Sequence, residues 1–278
     1  ENEIREAIKG SDMVFLTAGL GGGTGTGAAP LFAKIAKEEG ALTIGIVTKP
    51  FMFEGKKRER NAMQGLSELQ KYTDSLIIVS NNNLLEVIGR KPIEEAFQAA
   101  DNVLRQGVQT ISDLIAVPAL VNLDFADVRS VMQNQGAALI GIGMADGEDK
   151  AINAAEKAIQ SPLLEAQITG AKSAIINITG GDKVSLYDAQ SAVAVIQDAA
   201  GGEIDTIFGI AINEQLGDSI IVTVIATGFE QESEPQEPIA KSAPRTTAST
   251  VKPAASVRNE ESDDDDLDKS IPSFFFNR

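Results

Sequence analysis

The chain has 278 residues, of which 43% are hydrophobic and 23% are charged, so at least part of it can bury a hydrophobic core. It contains no His and no Cys, which excludes Ser-His-Asp hydrolysis, thiol catalysis and the usual zinc sites. The formal net charge of −16 argues against a nucleic-acid-binding surface, because it would repel phosphates. No apolar run approaches the roughly 20 residues that span a bilayer, so we expect a soluble, cytoplasmic protein without direct membrane insertion.

The predicted elements, in chain order, alternate apolar runs with helical patterns, which is typical of a layered α/β fold. The first three predicted strands are nearly continuous apolar runs, as expected of parallel strands that are covered on both faces. The last two are separated by a short turn, which predicts an antiparallel hairpin. The seven predicted strands are Met13–Ala18, Leu42–Thr48, Ser75–Ser80, Ala137–Met144, Ser173–Thr179, Asp205–Asn213 and Ser219–Thr227.

One predicted helix is unusually long. Pro92 stands where a first-turn proline belongs, and Pro118 ends the pattern. Between them, apolar residues recur at spacings of three and four, which predicts a buried stripe on one face over roughly 35 Å of helix. The residues of this stripe are Ile93, Phe97, Ala100, Leu104, Val108, Ile111 and Ile115.

The composition changes after Gly228. Residues 229–269 have few large apolar side chains and many charges, and such a segment cannot offset its ordering entropy by burial, so we predict an acidic, disordered linker. The apolar end of the chain, 270–278, is then predicted to be a partner-docking peptide. Its docking residues are Ile271, Pro272, Phe274, Phe275 and Phe276.

The strongest local signal is the glycine-rich loop Gly21–Gly27, which follows a predicted strand and precedes a helix predicted over Ala28–Glu39. That placement favours phosphate binding by backbone N–H groups and by the positive end of a helix. The loop is not a Walker A motif, because no Lys-Ser/Thr follows Gly27, and it does not fit G-x-G-x-x-G. A Rossmann-type enzyme that uses a dinucleotide is therefore disfavoured.

The run G-G-G-T-G-T-G, together with Lys49–Arg58, Asn122–Arg129, Ser161–Glu165 and the terminal Ile-Pro-Ser-Phe, resembles the tubulin/FtsZ family of GTPases. The resemblance implies a Rossmann-like GTPase domain (1–91) that a long central helix (92–118) joins to a second, α+β domain for activation and polymerisation (119–228). The family's earlier G-G-x-G-x-N-A loop has no match here. We therefore expect an N-terminally truncated fragment with an incomplete GTPase domain.

The resemblance also implies a site for GTP or GDP, with Mg²⁺ held through the nucleotide and no protein metal site. Glu54 and Arg58 would contact ribose and phosphate. Phe97 would stack on guanine, whose N1–H and amine would donate to Asp101, and Asn81 would add a base contact in a register that Asn82 and Asn83 leave open. From the residues alone, Glu54 and Arg58 could instead be a surface ion pair, and Phe97 part of the apolar stripe. The residues that would cradle the phosphates are Gly22, Gly23, Thr24, Gly25 and Thr26.

Asn122, Asp124 and Asp127 would form the catalytic set, acting on the nucleotide of the neighbouring subunit. Read without the resemblance, the two carboxylates at this spacing would usually form a helix N-cap.

The implied function is a self-polymerising GTPase that forms head-to-tail filaments in the bacterial division ring at midcell. The terminal peptide would bind membrane tethers such as FtsA or SepF, and other division-ring regulators would also bind. The alternative is a non-hydrolysing, nucleotide-binding scaffold of the same fold.

Overall fold

The computed structural model describes residues 1–88, 92–116, 124–161, 164, 166–182, 184–202 and 204–229. This part of the chain alternates strands and helices as the sequence predicts. Its elements in chain order are α1 (Asn2–Ile8), β1 (Met13–Gly19), α2 (Thr24–Glu38), β2 (Leu42–Lys49), a 3-10 turn (Met52–Glu54), α3 (Lys56–Gln70), β3 (Ser75–Ser80), α4 (Asn81–Ile88), α5 (Ile93–Ala116), α6 (Phe125–Met132), β4 (Gly136–Ala145), α7 (Lys150–Ile159), β5 (Ser173–Gly180), α8 (Leu186–Ala200), β6 (Asp205–Ile212), a 3-10 turn (Glu214–Leu216) and β7 (Ile220–Thr227).

The described strands form a sheet in the order β1-β2-β3-β4-β7-β5-β6. All seven predicted strands are confirmed, with ends that differ from the prediction by at most one residue. β1, β2 and β3 run parallel, as predicted. β2 is buried along nearly its whole length, but β1 lies at the edge of the described sheet and is only half-buried. The expectation that these strands are covered on both faces is therefore wrong for β1.

The predicted hairpin of the last two strands is also wrong. β5 lies between them, parallel to β6 and antiparallel to β7. β7 is buried at every position except Ile221, as suits a strand with neighbours on both sides and helices on both faces, whereas most of β6 is partly exposed. β6 therefore lies at the edge of the described sheet, and β7 lies in its interior.

β4 changes partner along its length. Residues 136–138 pair in parallel with 75–77 of β3, and residues 139–145 pair antiparallel with 220–226 of β7. The strand therefore connects a parallel part of the sheet, β1–β3, with a mixed part, β7-β5-β6. The division of residues 1–228 into two domains at the long helix stays a prediction.

Helices cover both faces of the sheet, as the α/β class requires. Val47 and Leu69 belong to a core between the sheet and α2 and α3. The preceding residue of β2, Ile46, points to the opposite face, where it shares a core with Ile111 of α5 and with α6. A third core, to which Ala154 belongs, lies between α7, α8 and the mixed part of the sheet.

The long helix is confirmed as α5, whose 24 residues span about 36 Å, but its buried face differs from the predicted stripe. Ile93, Phe97 and Ile115 are exposed. Of the predicted stripe, Ala100 and Ile111 are buried. The face that meets the sheet carries small residues as well as large ones: it consists of Ala96, Ala100, Val103, Gly107, Thr110, Ile111 and Leu114. Pro118, the predicted end of the helix, lies outside the described residues.

The first helix is attached to α2 by charge. The guanidinium of Arg5 donates to the carboxylates of Glu38 and Glu39, at 2.5 Å each. The hydrogen bond from Arg5 lowers the pKa of Glu38.

Among the described helices, none combines the length and the apolar character that a membrane span would need.

Candidate functional site

The segments that the sequence assigns to phosphate, ribose and base follow β1, β2 and β3 in turn. Since these strands are parallel neighbours, the segments emerge at the same edge of the sheet, the edge formed by the strands' carboxyl ends. The glycine-rich loop follows β1, the 3-10 turn with Glu54 follows β2, and Asn81 follows β3 directly. The fold therefore brings these three segments together.

Two glycines of the loop are required by its geometry. Gly21 has a φ of +101°, a conformation that other residues rarely adopt, and its α-carbon faces the backbone of Arg58. A β-carbon at Gly25 would lie 2.5 Å from the carbonyl oxygen of Gly19. These glycines hold the loop close to the end of β1 and to the start of α3.

The two glycines between them have a different environment. Among the described residues, β-carbons added at Gly22 and Gly23 would meet no atom within 4 Å. Packing in this part of the chain therefore does not explain glycine at these positions, and the open space beside their backbone suits the close approach of a ligand.

The helix after the loop begins earlier than predicted, at Thr24 instead of Ala28. Thr24, Gly25 and Thr26 therefore form its first turn. Its N-cap is Gly23, and none of the described side chains caps this end, so the N–H groups of the first turn keep the capacity to bind an anion. Thr26 Oγ1 accepts a hydrogen bond from Gly21 N–H at 2.8 Å, which closes the loop while leaving its own hydroxyl hydrogen to donate.

A cavity of about 370 Å³ lies beside the loop, between α2 and α3. Gly22 and Gly23 line one end of it, and amide side chains of α3, Asn61 and Gln64, line the opposite wall. Neither amide is among the site residues predicted from the sequence. The signal that could have identified them is their position on α3, three and six residues after Arg58.

Glu54 and Arg58 form the ion pair that the sequence left open as an alternative. The Arg58 guanidinium donates to one carboxylate oxygen of Glu54, and the other oxygen accepts from Phe51 N–H at 2.9 Å. The Glu54 side chain is 10% exposed, whereas that of Arg58 is 56% exposed. Glu54 therefore stabilises the turn, and Arg58 remains accessible to a ligand.

Phe97 packs against the turn after β2 instead of lying in the buried stripe of α5. Its ring is edge-on to Phe51, with 5.2 Å between ring centroids, and Phe51 stacks on Phe53 at 5.0 Å. Phe97 is 42% exposed and Phe53 is 59% exposed, so one surface of the cluster is open to a further planar group. Phe51 and Phe53 lie in the segment Lys49–Arg58 that carries the resemblance, but neither is among the site residues predicted from the sequence.

The asparagines after β3 differ in their environments. Asn81 is 5% exposed, and its side-chain oxygen has no hydrogen-bond partner in the described part of the chain. Asn82 instead accepts from Met52 N–H at 2.9 Å. A buried amide oxygen without a partner is costly, so Asn81 keeps an acceptor that a ligand could satisfy.

Asp101 lies on a separate wall. Together with Leu104 and Arg105 it lines a groove of about 500 Å³ between α5 and Thr17 of β1. The cavity beside the glycine loop and this groove share no lining residue. The structure thus places Asp101 near the end of β1 without joining it to the phosphate loop in a single pocket.

Asp124 and Asp127 form the N-cap that the residues alone predict. Asp127 N–H donates to the Asp124 carboxylate at 2.8 Å, and Asp124 N–H donates to the Asp127 carboxylate at 3.2 Å, which is a capping box at the start of α6. Both residues are exposed. Asn122 lies outside the described residues, as do Ile271, Pro272, Phe274, Phe275 and Phe276 and the predicted linker.

Comparison with known proteins decides the family. The family model described as "Tubulin/FtsZ family, GTPase domain" matches residues 1–89, and that described as "FtsZ family, C-terminal domain" matches residues 136–230. The structure titled "FtsZ dimer, empty" from M. jannaschii is 44% identical, with a TM-score of 0.79 over 82% of this chain and 66% of that one. A point mutant of M. jannaschii FtsZ has the same identity and TM-score, over 82% of this chain and 68% of that one. This chain belongs to the tubulin/FtsZ family.

The two FtsZ family models lie on either side of α5 and α6, which carry Phe97, Asp101, Asp124 and Asp127. CetZ from Methanosaeta thermophila, at 23% identity and a TM-score of 0.67, shares the fold. The chain spans about two thirds of the length of the M. jannaschii FtsZ chains. The predicted family and α/β fold class are thereby confirmed.

Proposed function

We propose that this FtsZ-family chain binds GTP, polymerises head to tail and hydrolyses GTP to GDP and phosphate at a site shared between adjacent subunits. The observation that carries the nucleotide proposal is the uncapped start of α2 beside Gly22 and Gly23, where no atom of the described residues fills the space. Phosphate oxygens suit this place because they accept from several N–H groups and are stabilised by the helix dipole.

The remaining nucleotide contacts follow from the same edge of the sheet. Arg58 is accessible for phosphate or ribose, the unpartnered oxygen of Asn81 would accept from the ligand, and guanine would stack on Phe97. Asp101 would accept from guanine N1–H and its amine, and this would disfavour adenine, whose N1 is an acceptor. In the described residues no group of three or more acidic side chains could hold a metal ion. Mg²⁺ would enter with the phosphates and neutralise their charge.

Hydrolysis would use the acids at the start of α6 on the next subunit. α5 separates Phe97 from α6 by most of its length of about 36 Å, so Asp124 and Asp127 are poorly placed to reach the nucleotide of their own chain. Exposed at the start of α6, they would polarise the attacking water, and Asn122 would position it. Since half of each site would come from a neighbour, turnover would require head-to-tail assembly.

We further propose that the filaments form the bacterial division ring at midcell. The terminal peptide, with Ile271, Pro272 and its three phenylalanines, would bind membrane tethers such as FtsA or SepF through a flexible linker. Other division-ring regulators would bind the same filaments. The bacterial source, the tether and the midcell location are proposals, carried by the family and by the composition of 229–278.

The alternative is a scaffold that binds nucleotide without hydrolysing it. The capping box favours this reading, because it gives both carboxylates a structural reason to be present. Asp127→Asn decides between the two in the full-length gene product that contains these residues. If hydrolysis is shared, this variant should bind GTP normally and turn it over at least tenfold more slowly. Asp188→Asn, the matched change in the capping box of α8, should keep normal turnover.

Mixing tests whether the site is shared. Asp127→Asn chains supply an intact nucleotide site, and Asp101→Ala chains, defective in binding, supply intact acids to their neighbour. Copolymers of the two should recover part of the turnover at the hybrid interface. Copolymers confirmed by sedimentation that show no recovery at any mixing ratio would exclude a shared site.

The 278 residues by themselves should bind GTP weakly, since they span about two thirds of their relatives' length.

A further inference from the structure

α6 is attached at its C-terminal end by two buried hydroxyl groups. Ser75 Oγ donates to the carbonyl oxygen of Met132 at 2.5 Å, and Thr227 Oγ1 donates to that of Val131 at 2.8 Å. Ser75 and Thr227 are fully buried. The last carbonyl groups of a helix have no partner within the helix, so these two bonds satisfy acceptors that would otherwise be buried unpaired.

The two hydroxyls come from the two parts of the sheet. Ser75 begins β3 and is paired with Gly136 of β4. Thr227 ends β7 and is paired with Ser173 of β5. The end of α6 is therefore bonded to strands on both sides of the place where β4 changes partner, so its position is defined relative to both parts at once.

The other end of α6 has no comparable attachment among the described contacts. The hydrogen bonds of Asp124 and Asp127 run within the capping box, and Ser130 Oγ donates to Asp127 O at 2.7 Å, also within α6. The buried side chains Val128 and Met132 supply apolar packing, which is non-directional and restrains sliding and rotation less than hydrogen bonds do. α6 has only eight residues, about 12 Å, so a shift at its C-terminal end is transmitted to the carboxylates.

We propose that Ser75 and Thr227 are positioning residues that fix the axial rotation and the depth of α6, and thereby aim Asp124 and Asp127 at the nucleotide of the next subunit. This inference rests on the proposed function, since it requires those acids to act in hydrolysis. Misplacement of a catalytic group by about 1 Å can cost on the order of a hundredfold in rate, so two buried bonds distant from the reacting atoms can control turnover.

The test uses five variants of the full-length gene product, of which three remove a hydroxyl donor to α6 and two are controls. Ser75→Ala and Thr227→Val, separately and combined, remove the donors with little change of shape. Thr227→Ser keeps the hydroxyl and should restore the wild-type behaviour. Thr43→Val is the matched control, because Thr43 is equally buried and its hydroxyl donates to Ala41 O at 3.1 Å, away from α6.

Two measurements are expected to change together. GTP hydrolysis per sedimented subunit should fall about tenfold in the double variant, while GTP affinity and the sedimented fraction stay at wild-type values. Amide hydrogen exchange of Asp127, measured without nucleotide, should become several-fold faster in the same variant and stay unchanged in Thr43→Val. If the double variant does not fold, the single variants should show the same two changes at smaller size.

The outcomes separate this inference from the proposed function. Unchanged turnover and unchanged exchange at Asp127, in variants that have lost the hydroxyls, would overturn the positioning role. The proposed function would survive that result if Asp127→Asn still slows turnover at least tenfold. A loss of thermal stability alone, with normal turnover per sedimented subunit, would make the two bonds purely structural. If Asp127→Asn itself keeps normal turnover, the proposed function fails, whatever the exchange at Asp127 shows.

Discussion

The side-chain oxygen of Asn82 accepts a hydrogen bond from the backbone N–H of Met52 at 2.9 Å, and this bond ties the start of α4 to the turn after β2. The same turn is closed from its other end, where Phe51 N–H donates to Glu54 at 2.9 Å. The segments that follow the parallel strands β2 and β3 thus lie side by side, and the hydrogen bond of Asn82 joins them. The turn carries Phe53 and the partner of Arg58, so its position defines one wall of the proposed nucleotide site.

Replacing Asn82 should loosen that wall. Asn82→Ala removes the acceptor for Met52 N–H, and we expect a loss of stability of about 1 kcal/mol and a several-fold loss of GTP affinity. Asn82→Asp keeps an acceptor and should retain most of both. Chemical unfolding followed by circular dichroism and equilibrium GTP titration of the full-length gene product measure the two effects. Asn83→Ala is the control, and an equal effect there would mean that the bond to Met52 is not the cause.

The strands could be predicted from the sequence, but their order could not. Each strand is an apolar run with clear ends, which a single pass along the chain detects. The order depends on which runs become central. β7, from Ile220, is apolar almost throughout, whereas β6 begins at Asp205 and contains Gly209. This difference indicates that β7 is central and β6 is at the edge. The short connection between the two strands instead predicts a hairpin, which the structure does not have.

The buried face of α5 was predicted incorrectly for a related reason. A search for large apolar side chains selects Ile93, Phe97 and Ile115, which are exposed. The face of α5 that meets the sheet carries Gly107, at which a β-carbon would lie 3.2 Å from Ile46. Close packing of a helix on strands demands small residues, so the stripe that carries the contact includes Ala, Gly and Thr.

Phe97 lies outside the buried face of α5 because its ring packs against Phe51 in the aromatic cluster of the turn. The unpartnered oxygen of Asn81 could not have been predicted either, because burial and lack of a partner are properties of the folded chain. The sequence does predict that the segments of the site lie together, because the loops that follow neighbouring parallel strands emerge at the same edge of the sheet.

The glycine-rich loop offers a matched pair of substitutions. In Gly25→Ala the new β-carbon would lie 2.5 Å from Gly19 O, so the start of α2 must shift, and we expect a loss of stability of roughly 1–3 kcal/mol. In Gly27→Ala the new β-carbon would meet no atom within 4 Å in the part of the chain that the structure describes, and the change in a helix should be neutral or stabilising by about 0.5–1 kcal/mol. Urea unfolding compares the two, and similar stabilities would contradict the close approach of α2 to β1.

Gly23→Ala separates folding from ligand binding. Gly23 has φ −82° and ψ −54°, which alanine adopts without strain, and a β-carbon there would meet no atom of the described residues within 4 Å. The free energy of unfolding should therefore stay within about 0.5 kcal/mol of wild type. GTP affinity should nevertheless fall at least tenfold, because the added methyl group occupies the space that we assign to the phosphates. Full affinity in a stable Gly23→Ala protein would place the phosphates elsewhere.

The last prediction concerns Asp124, which has two candidate roles in one side chain. As N-cap of α6 it accepts from Asp127 N–H at 2.8 Å, a role that a neutral oxygen can fill. As a catalytic acid it would polarise water on the next subunit, a role that needs the negative charge. Serine is as good an N-cap as aspartate, so Asp124→Ser should keep the cap and lose the carboxylate.

The two roles therefore predict different results for Asp124→Ser and Asp124→Ala. Asp124→Ala should lower the free energy of unfolding by about 1 kcal/mol, since it leaves an N–H group of the first turn without a partner. Asp124→Ser should unfold like the wild type, yet both variants should lose at least tenfold in GTP turnover per sedimented subunit at unchanged GTP affinity. Unfolding and single-turnover measurements on the same preparations test this. Wild-type turnover in Asp124→Ser would mean that Asp124 acts only as a helix cap, because this variant keeps the cap and lacks the negative charge.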